Sequence, residues 1–271
     1  MENFEHEIPE ILEKMTGETG FYYKNLITGK TVTYNADKQF PPASIVKLPL
    51  LASIYLLKEK GMTDFEKVIT VKEKDKMPAC GAIPHITGDF TIDVKSLMRL
   101  MIVISDTSAT NLLFNYYGAE TIKQCFHELG LKGTQFNRAY FDDEKEALGI
   151  NNYFVPEEMG ILLEKIYRRE LVSREASEEM EELLKKQQIN HKMCGRLPMG
   201  YPVAHKTGEE EDKSHDIGIV FSEEPFVVCY AGYNTDIAEF EDFIRRTTEK
   251  LVKRTDPDLH GYRGCFKGAF V

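Results

Sequence analysis

The N-terminal end of the chain shows two hydrophobic spacings in succession. Residues 3–15 carry apolar side chains three and four positions apart, which predicts an amphipathic helix. Residues 20–26 and 31–34 are rich in aromatic and β-branched side chains, and Thr28-Gly29 between them favours a turn. We therefore expect a helix followed by a β-hairpin at this end.

Helical spacing dominates the middle of the chain, from Ser44 to about Gln188. Pro41-Pro42 separates this part from the hairpin. The apolar positions predict five helices besides the one that begins at Ser44, over residues 93–104, 106–117, 120–129, 156–169 and 174–186. The middle of the chain is thus predicted to form a helical lobe.

Strand patterns return near the C-terminal end. Residues 203–206, 216–222 and 225–233 are rich in strand-forming side chains, and residues 237–254 have helical spacing again. Strands from the two ends of the chain can therefore join in one antiparallel sheet.

This order of elements predicts an α/β (α+β) fold, in which an antiparallel sheet flanked by helices is built from both chain ends and an all-helical lobe comes from the middle. We predict one domain over residues 1–254. Its α/β lobe would comprise about residues 1–40 and 190–254, and its helical lobe about residues 41–189. The tail, residues 255–271, contains three glycines, and the sequence assigns it no function.

Composition and charge exclude several classes of partner. Apolar residues make up 42% and charged residues 29% of the chain, which is the balance of a soluble globular protein. The net charge is −10 without any lysine or arginine block, so we expect neither nucleic acid nor an anionic membrane as a partner. The segment Met1–Glu7 lacks the basic start and apolar core of a signal peptide, so we expect a cytoplasmic protein unless a leader was removed.

Cysteine and histidine usage gives no sign of a metal site. The cysteines are five in number: Cys80, Cys125, Cys194, Cys229 and Cys265. Their odd number, wide spacing and lack of a C-x-x-C pair predict reduced thiols. The seven histidines show no metal-ligand spacing either. We therefore expect no metal and no cofactor, and a monomer is the default expectation.

The first candidate for chemistry is the tetrad Ser44-Ile45-Val46-Lys47, which is followed by an apolar run. A serine hydroxyl is a poor nucleophile unless a base lies within reach. On a helix, Ser44 and Lys47 lie on one face, about 5–6 Å apart at Cβ. Burial would lower the pKa of Lys47 and let its amine accept the serine proton. Taken alone, the pattern is more often a helix cap and a solvated lysine.

The second candidate is Ser105-Asp106-Thr107, which separates two apolar helices. A short polar loop between buried helices can direct a side chain into a cleft. Ser105 could relay a proton between Lys47 and a leaving nitrogen, whereas Asp106 is expected to hold the loop through backbone hydrogen bonds. The simpler alternative is a helix cap.

The third candidate is Lys206-Thr207-Gly208, at the end of the strand predicted over residues 203–205. Lys206 and Thr207 would offer a charge and a hydroxyl to a substrate carboxylate. Gly208 would allow the backbone to approach a ligand closely. The alternative is a turn at the end of a strand.

In this order the three clusters resemble the serine β-lactamase and penicillin-binding protein superfamily, and most closely the class A β-lactamases. The resemblance covers about residues 2–254. Further matching segments are 88–92, 105–113, 156–159, 205–208 and 215–220. The resemblance implies a β-lactamase/transpeptidase-like fold and a small-molecule β-lactam or related amide or ester as substrate.

The resemblance also implies roles for the catalytic residues. Ser44 would form the acyl-enzyme, and Lys47 would be the general base or a proton relay. Ser105 would pass a proton to the leaving nitrogen, with electrostatic support from Lys206. The backbone N–H groups of Ser44 and Glu209 would form the oxyanion hole.

Substrate binding is implied for Thr107, Thr207, Gly208 and Glu209, and Asn111 would brace the helix behind the second cluster. Thr107 departs from the family pattern, because the second motif usually ends in an asparagine whose amide holds the substrate side chain. The hydroxyl of Thr107 would weaken or change that contact.

A second departure concerns deacylation. Class A enzymes carry a glutamate in an E-x-x-L-N loop that activates the deacylating water, and residues 137–146 lack this pattern. Asp142, Asp143 or Glu144 could supply the carboxylate, and the sequence leaves open which. A third departure is the acidic run at residues 209–212, which would repel an anion unless Lys206, Lys213 and His215 offset it, or unless the substrate is not anionic.

Three functions follow as hypotheses. The leading one is a serine hydrolase that opens the β-lactam amide through an acyl-serine intermediate. The second is a penicillin-binding or sensor protein that is acylated but does not turn over. The third is a cytosolic amidase or esterase on the same scaffold.

Overall fold

The structure is a computed structural model that describes residues 4–257 and residue 259. Most of the predicted tail at 255–271, with Cys265, lies outside the described residues. The division into two lobes near residues 40 and 190 stays a prediction.

Five strands form the main sheet, and they come from both ends of the chain. Numbered along the chain, the strands of the main sheet and of a smaller second sheet are β1 (Glu18–Asn25), β2 (Thr31–Tyr34), β3 (Val68–Val71), β4 (Phe90–Asp93), β5 (Val203–Glu210), β6 (Lys213–Val220) and β7 (Phe226–Tyr233). The main sheet has the order β2-β1-β7-β6-β5, and every neighbouring pair is antiparallel. The N-terminal hairpin therefore pairs with β7 from the other end of the chain, which confirms the predicted sheet.

Helices cover both faces of the sheet and fill the middle of the chain. They are α1 (Phe4–Lys14), α2 (Lys47–Glu59), α3 (Val94–Val103), α4 (Thr107–Tyr117), α5 (Ala119–Glu128), α6 (Asp143–Ala147), α7 (Pro156–Tyr167), α8 (Arg174–Leu184) and α9 (Ile237–Lys253). All predicted helices are present, with ends that differ by at most two residues, except that α2 begins at Lys47, three residues after the predicted start at Ser44. Side chains of Asp93, Asp106, Ser173 and Asp236 cap the N-termini of α3, α4, α8 and α9.

The sequence predicts an all-helical lobe for the middle of the chain, but this part also contains strands. Strands β3 and β4 pair as a two-stranded antiparallel ribbon. Each strand has only four residues, too few to show an alternating pattern against the helical background. The short helix α6 was also not predicted, because it is polar on all sides.

Both faces of the main sheet are buried, and β7 shows how. Phe226, Val228 and Tyr230 pack with α1 and α9 in one core cluster, whereas the alternate residues Val227 and Cys229 pack in the larger cluster that extends into the helical lobe. This alternation places the sheet between two layers of helices. Among the described residues, no helix combines the length and apolar character needed to cross a membrane.

Helix α2 runs through the interior, and this determines the environment of its first residue. Residues 47–55 of the helix are all buried, as expected for a helix that is apolar on every side. The amine of Lys47 is therefore inside the protein, at the junction of the sheet and the helical lobe. A lysine in this position requires polar partners in the interior.

Candidate active site

Ser44 lies at the mouth of a cleft, in a short 3-10 turn over Ala43–Val46 that leads into α2. The α-helix begins at Lys47 and not at Ser44, because Pro49 has no N–H with which to bond the carbonyl of Ile45. Ala43 has a φ of +40°, a left-handed conformation that is strained for a residue with a Cβ. The strained turn leaves Ser44 half-buried within the otherwise buried start of α2.

Lys47 follows Ser44 by three residues and is fully buried. Its Nζ donates hydrogen bonds to the backbone oxygen of Ser105, at 2.6 Å, and to Ser105 Oγ, at 3.1 Å. The first and second motifs, 58 residues apart in sequence, are therefore in direct contact.

Ser105 joins all three motifs. Its Oγ also accepts a hydrogen bond from Lys206 Nζ at 3.0 Å, so one hydroxyl lies between two buried amines. Ser105 has a φ of +57°, and this left-handed turn between α3 and α4 directs its side chain to both lysines. Because the oxygen accepts from two nitrogen donors, its own proton is free to be donated to a third group.

Asp106 has the structural role that the sequence predicts. Its buried carboxylate caps α4 by accepting from the N–H of Ala109 at 2.9 Å. It also accepts from the N–H groups of Ala82 and Ile83, at 2.7 and 2.9 Å. These bonds tie the loop before α4 to the segment that borders the cleft.

The third motif lies inside β5 and not at its end, contrary to the prediction, because Glu209 and Glu210 continue the strand. Lys206 and Thr207 are both buried, at 0% and 1% exposure. Lys206 Nζ bonds the backbone oxygen of Thr207 as well as Ser105. Thr107 and Glu209 line the cleft, whereas Thr207 does not. A substrate-binding role for these three residues stays a prediction.

Gly208 allows close packing within the protein. A Cβ at this position would lie 3.0 Å from Ile45 Cγ1 and 3.1 Å from the oxygen of Pro42. The absence of a side chain therefore lets β5 lie directly against the turn that carries Ser44. The approach of a ligand to Gly208, which the sequence predicts, stays a prediction.

Burial changes the protonation of both active-site lysines. Desolvation lowers the pKa of Lys47 from 10.5 to about 7. Desolvation also lowers the pKa of Lys206 well below its ordinary value, with repulsion from Lys47 and Lys192 as further causes. A large fraction of Lys47 is therefore neutral near pH 7, which is the form that can accept a proton.

We expect the rate of Ser44 acylation to follow the deprotonation of Lys47. Because only the neutral amine is a base, the rate should rise about tenfold per pH unit below pH 7 and level off above it. Stopped-flow measurement of acylation by a β-lactam between pH 5 and 9 tests this. A rate that falls as pH rises through 7 would exclude Lys47 as the base.

Lys192 is a buried residue of the site that the sequence did not reveal. Its Nζ donates to the backbone oxygens of Gly208, at 3.0 Å, and His215, at 2.9 Å, and lies 3.1 Å from Glu209 Oε1. It stands in a segment without helical or strand spacing, so no sequence pattern marks it as buried. Lys192 supports the back of β5 and adds positive charge next to Lys206.

The acidic run after Gly208 is partly neutralised. Lys213 Nζ donates to Glu210 and Asp212, each at 2.6 Å. His215, in contrast, offers no charge, because burial lowers its pKa to about 3. Its neutral ring bonds the oxygen of Pro41 at 2.9 Å and so helps to hold the segment before Ser44.

Tyr140 is the second site residue that sequence reasoning missed. Its hydroxyl donates to the oxygen of Ala43, the residue immediately before Ser44. Its ring centroid lies 5.2 Å from Lys47 Nζ. Asn111 holds its backbone, since Asn111 Nδ2 donates to the oxygen of Tyr140 and Oδ1 accepts from its N–H, both at 2.8 Å. Asn111 thus braces the Tyr140 loop and not, as predicted, the helix behind the second motif.

The three candidate carboxylates follow Tyr140 and have different surroundings. Asp142 caps α6, accepting from the N–H of Lys145 at 3.1 Å, and also pairs with the Lys145 amine. Asp143 lines the same cleft as Ser44, and Glu144 is exposed on α6. A role for any of them in deacylation stays a prediction.

The cleft at Ser44 has a volume of about 580 Å³, which is within the usual range for small-molecule sites. From the three motifs, only Ser44 and Thr107 line it, and the rest of the lining is largely acidic: Ala79, Cys80, Arg138, Tyr140, Phe141, Asp143, Glu146 and residues 209–212. In the part of the chain that the structure describes, no group of three or more His, Cys, Asp or Glu side chains is arranged to hold a metal ion.

The sequence model of the Beta-lactamase enzyme family matches residues 3–255. This chain belongs to the β-lactamase enzyme family. A β-lactamase from Bacteroides uniformis is 26% identical over 226 residues, covering 78% of this chain and 74% of the relative. The alignment therefore spans most of both proteins.

Solved structures have the same fold as this β-lactamase family member. A β-lactamase from Sphaerobacter thermophilus has a TM-score of 0.84 at 23% identity, covering 93% of this chain and 97% of that one. The protein PBP-A also has a TM-score of 0.84, at 22% identity, covering 95% of this chain and 97% of that one. These comparisons confirm the predicted β-lactamase/transpeptidase-like fold.

Proposed function

We propose that this β-lactamase family member is a serine hydrolase that opens the β-lactam amide through an acyl-serine intermediate on Ser44. The observation that carries the proposal is the contact of Ser105 Oγ with both Lys47 Nζ and Lys206 Nζ, at 3.1 and 3.0 Å, beside a cleft that reaches Ser44. This contact supports a base with a lowered pKa and a proton relay that act together, close in sequence to the proposed nucleophile Ser44.

Acylation can be written through these groups. Neutral Lys47 takes the proton of Ser44, and Oγ attacks the β-lactam carbonyl carbon. The carbon–nitrogen bond then breaks, Ser105 donates its proton to the leaving nitrogen, and Lys47 returns a proton to Ser105. The backbone N–H groups of Ser44 and Glu209 are the proposed donors to the oxyanion.

The test uses the wild-type protein with benzylpenicillin, a chromogenic cephalosporin and an activated phenyl ester. We expect both β-lactams to be consumed. We also expect an intermediate whose mass exceeds that of the protein by one drug molecule. Hydrolysis of the ester without reaction of either β-lactam would instead favour an amidase or esterase on this scaffold.

A penicillin-binding or sensor protein is the second candidate function. It is favoured by Tyr140, whose hydroxyl donates to the oxygen of Ala43 beside Ser44, in the segment 137–146 that lacks the E-x-x-L-N pattern. Intact-protein mass measured after removal of free drug separates the two functions. An adduct that persists for hours supports the sensor, and unmodified protein after consumption of many equivalents of drug supports the hydrolase.

Replacement of Ser105 with alanine should slow β-lactam acylation by about 10²-fold, the usual contribution of a positioned proton donor. The effect should depend on the leaving group, because a nitrophenolate leaves without protonation and an amide nitrogen does not. We therefore expect acylation by a nitrophenyl ester to change much less than acylation by benzylpenicillin. Equal losses for the two substrates would show that Ser105 only supports the fold.

A further inference from the structure

A second cleft adjoins the cleft at Ser44. It has a volume of about 440 Å³, and four residues line both clefts: Arg138, Tyr140, Glu146 and Glu210. We propose that this second cleft binds an extended polar chain on the acyl side of the substrate, opposite the leaving nitrogen, and that the chain ends in an ammonium group paired with Glu18. This inference rests on the proposed function, since it concerns the substrate that acylates Ser44.

One end of the main sheet forms a wall of the second cleft. Four residues paired across β5, β6, β7 and β1 line it: Glu210, Lys213, Tyr233 and Glu18. Paired residues of antiparallel strands project from the same face of a sheet. The row from Glu210 to Glu18 crosses three strand spacings of about 4.8 Å each, or about 14 Å in total. An extended chain of about four residues covers this distance.

The proposed proton relay determines which half of the substrate faces the second cleft. Ser105 is the proposed donor to the leaving nitrogen, and Thr107 of the same motif lines the Ser44 cleft but not the second cleft. The carbonyl carbon bears the leaving nitrogen on one side and the rest of the acyl group on the other. With the nitrogen at Ser105, the acyl group extends away from the second motif, toward the walls that the two clefts share.

The second cleft presents hydrogen-bonding groups that the fold itself leaves unused. The hydroxyls of Tyr153 and Tyr233 and the side-chain amide of Asn151 line it, and none of these groups bonds to another described residue. Arg138 Nε is buried and donates to no acceptor among the described residues. Polar groups that converge on a cleft are typical of a site that fixes a ligand through hydrogen bonds. These groups therefore favour a chain with polar atoms along its length over an apolar chain.

The charges of the second cleft favour a cation at the end of this chain. Arg138 pairs with Glu146 at 2.8 Å, and Lys213 pairs with Glu210 at 2.6 Å. Glu18 is exposed and forms no ion pair with any described residue, so its carboxylate is the one charge of this lining that is left unbalanced. The acidic run of the Ser44 cleft would also repel an anionic terminus. An ammonium group is therefore the expected partner of Glu18.

The test uses four penicillins prepared from 6-aminopenicillanic acid. Two carry a triglycyl chain whose terminal amine is either free or acetylated, and two carry a single glycyl group in the same two forms. Intact-protein mass gives the second-order rate constant of Ser44 acylation for each. On the triglycyl chain, we expect the free amine to react about three- to fivefold faster with the wild-type protein than the acetylated form, the effect of one exposed ion pair. On the glycyl group, which is too short to reach Glu18, the two forms should react equally.

Glu18→Gln should remove the preference for the free amine on the triglycyl chain, and Glu18→Lys should reverse it. The matched control is Glu10→Gln, which removes a carboxylate at an exposed position on α1 and should keep the wild-type preference. A wild-type protein without the preference, or with an equal preference on both chain lengths, would overturn the inference, as would a preference that survives in Glu18→Lys. Failure of the proposed function looks different, because then none of the four penicillins would acylate Ser44.

Discussion

Replacement of Ser44 with alanine should abolish the covalent adduct that we expect the wild-type protein to form with benzylpenicillin. Ser44 is the residue of the first motif that lines the cleft, and it lies three residues before the buried Lys47. Ser105 cannot replace it as nucleophile, because its oxygen already accepts hydrogen bonds from Lys47 and Lys206. Intact-protein mass measured after reaction with excess drug gives the result directly.

Ser53→Ala is the matched control for this experiment. Ser53 is buried on the same helix as Lys47, and its hydroxyl donates to the oxygen of Pro49 at 2.8 Å, away from the cleft. We expect this variant to form the adduct at the wild-type rate. A drug adduct on the Ser44→Ala protein would show that another residue is the nucleophile.

Replacement of Lys47 with methionine should lower the acylation rate by about 10² to 10⁴-fold, the contribution expected of a general base. Methionine fills nearly the same volume, so the buried start of α2 remains packed. The exposed Lys58 on the same helix provides the control, and Lys58→Met should acylate at the wild-type rate. Acylation of Lys47→Met within tenfold of the wild-type rate would show that Lys47 is not the base.

The same substitution has a second expected effect, on the pH dependence of stability. Lys47 has a folded pKa of about 7, below its ordinary value of 10.5. Below pH 7 it is charged in both the folded and unfolded states, so the cost of burying the charge is fully present. Between about pH 7 and 10.5 the folded form is neutral, and this cost declines as pH rises.

Lys47→Met should therefore gain stability over the wild type. This gain, the difference between their free energies of unfolding, should be largest at pH 6. It should fall by a few kcal/mol, with about 1.4 kcal/mol per pH unit as the limiting slope, between pH 7 and 10. Urea unfolding at several pH values measures it. A difference that does not change with pH would mean that the pKa of Lys47 is not lowered by folding.

The fold could be predicted to a large extent because its segments have strong periodicity. The helix over 237–254 and the strand over 20–26 are long and regular enough to fix their type, and the turn at Thr28-Gly29 indicates the short partner strand over 31–34. The ribbon of β3 and β4 could not be found, because each strand has only four residues and its pairing is set by tertiary contacts. The extension of β5 through Glu210 was hidden by charges that, in an exposed hairpin, face solvent.

The three candidate motifs could be found in the sequence because serine and lysine are the residue types that a nucleophile and its base require. The sequence identified Ser44, Lys47, Ser105 and Lys206, and the structure brings the last three into direct contact. It could not reveal Lys192, because burial of an isolated lysine depends on strands that lie more than ten residues away.

Tyr140 was missed for a related reason. The resemblance to class A enzymes points to a carboxylate in residues 137–146, and a tyrosine in that segment has no special signal. Its relation to the nucleophile depends on hydrogen bonds from Asn111, 29 residues away, and to Ala43, 97 residues away. Such contacts are a property of the fold and not of local sequence.

The central claim is that three distant segments form one acylation site around Ser44. The most direct measurement is a crystal structure of the protein after reaction with benzylpenicillin. We predict continuous electron density from Ser44 Oγ to the opened β-lactam carbonyl, with Lys47 and Lys206 both bonded to Ser105. Density attached to any other residue, or a Ser105 hydroxyl in contact with neither lysine, would contradict the account.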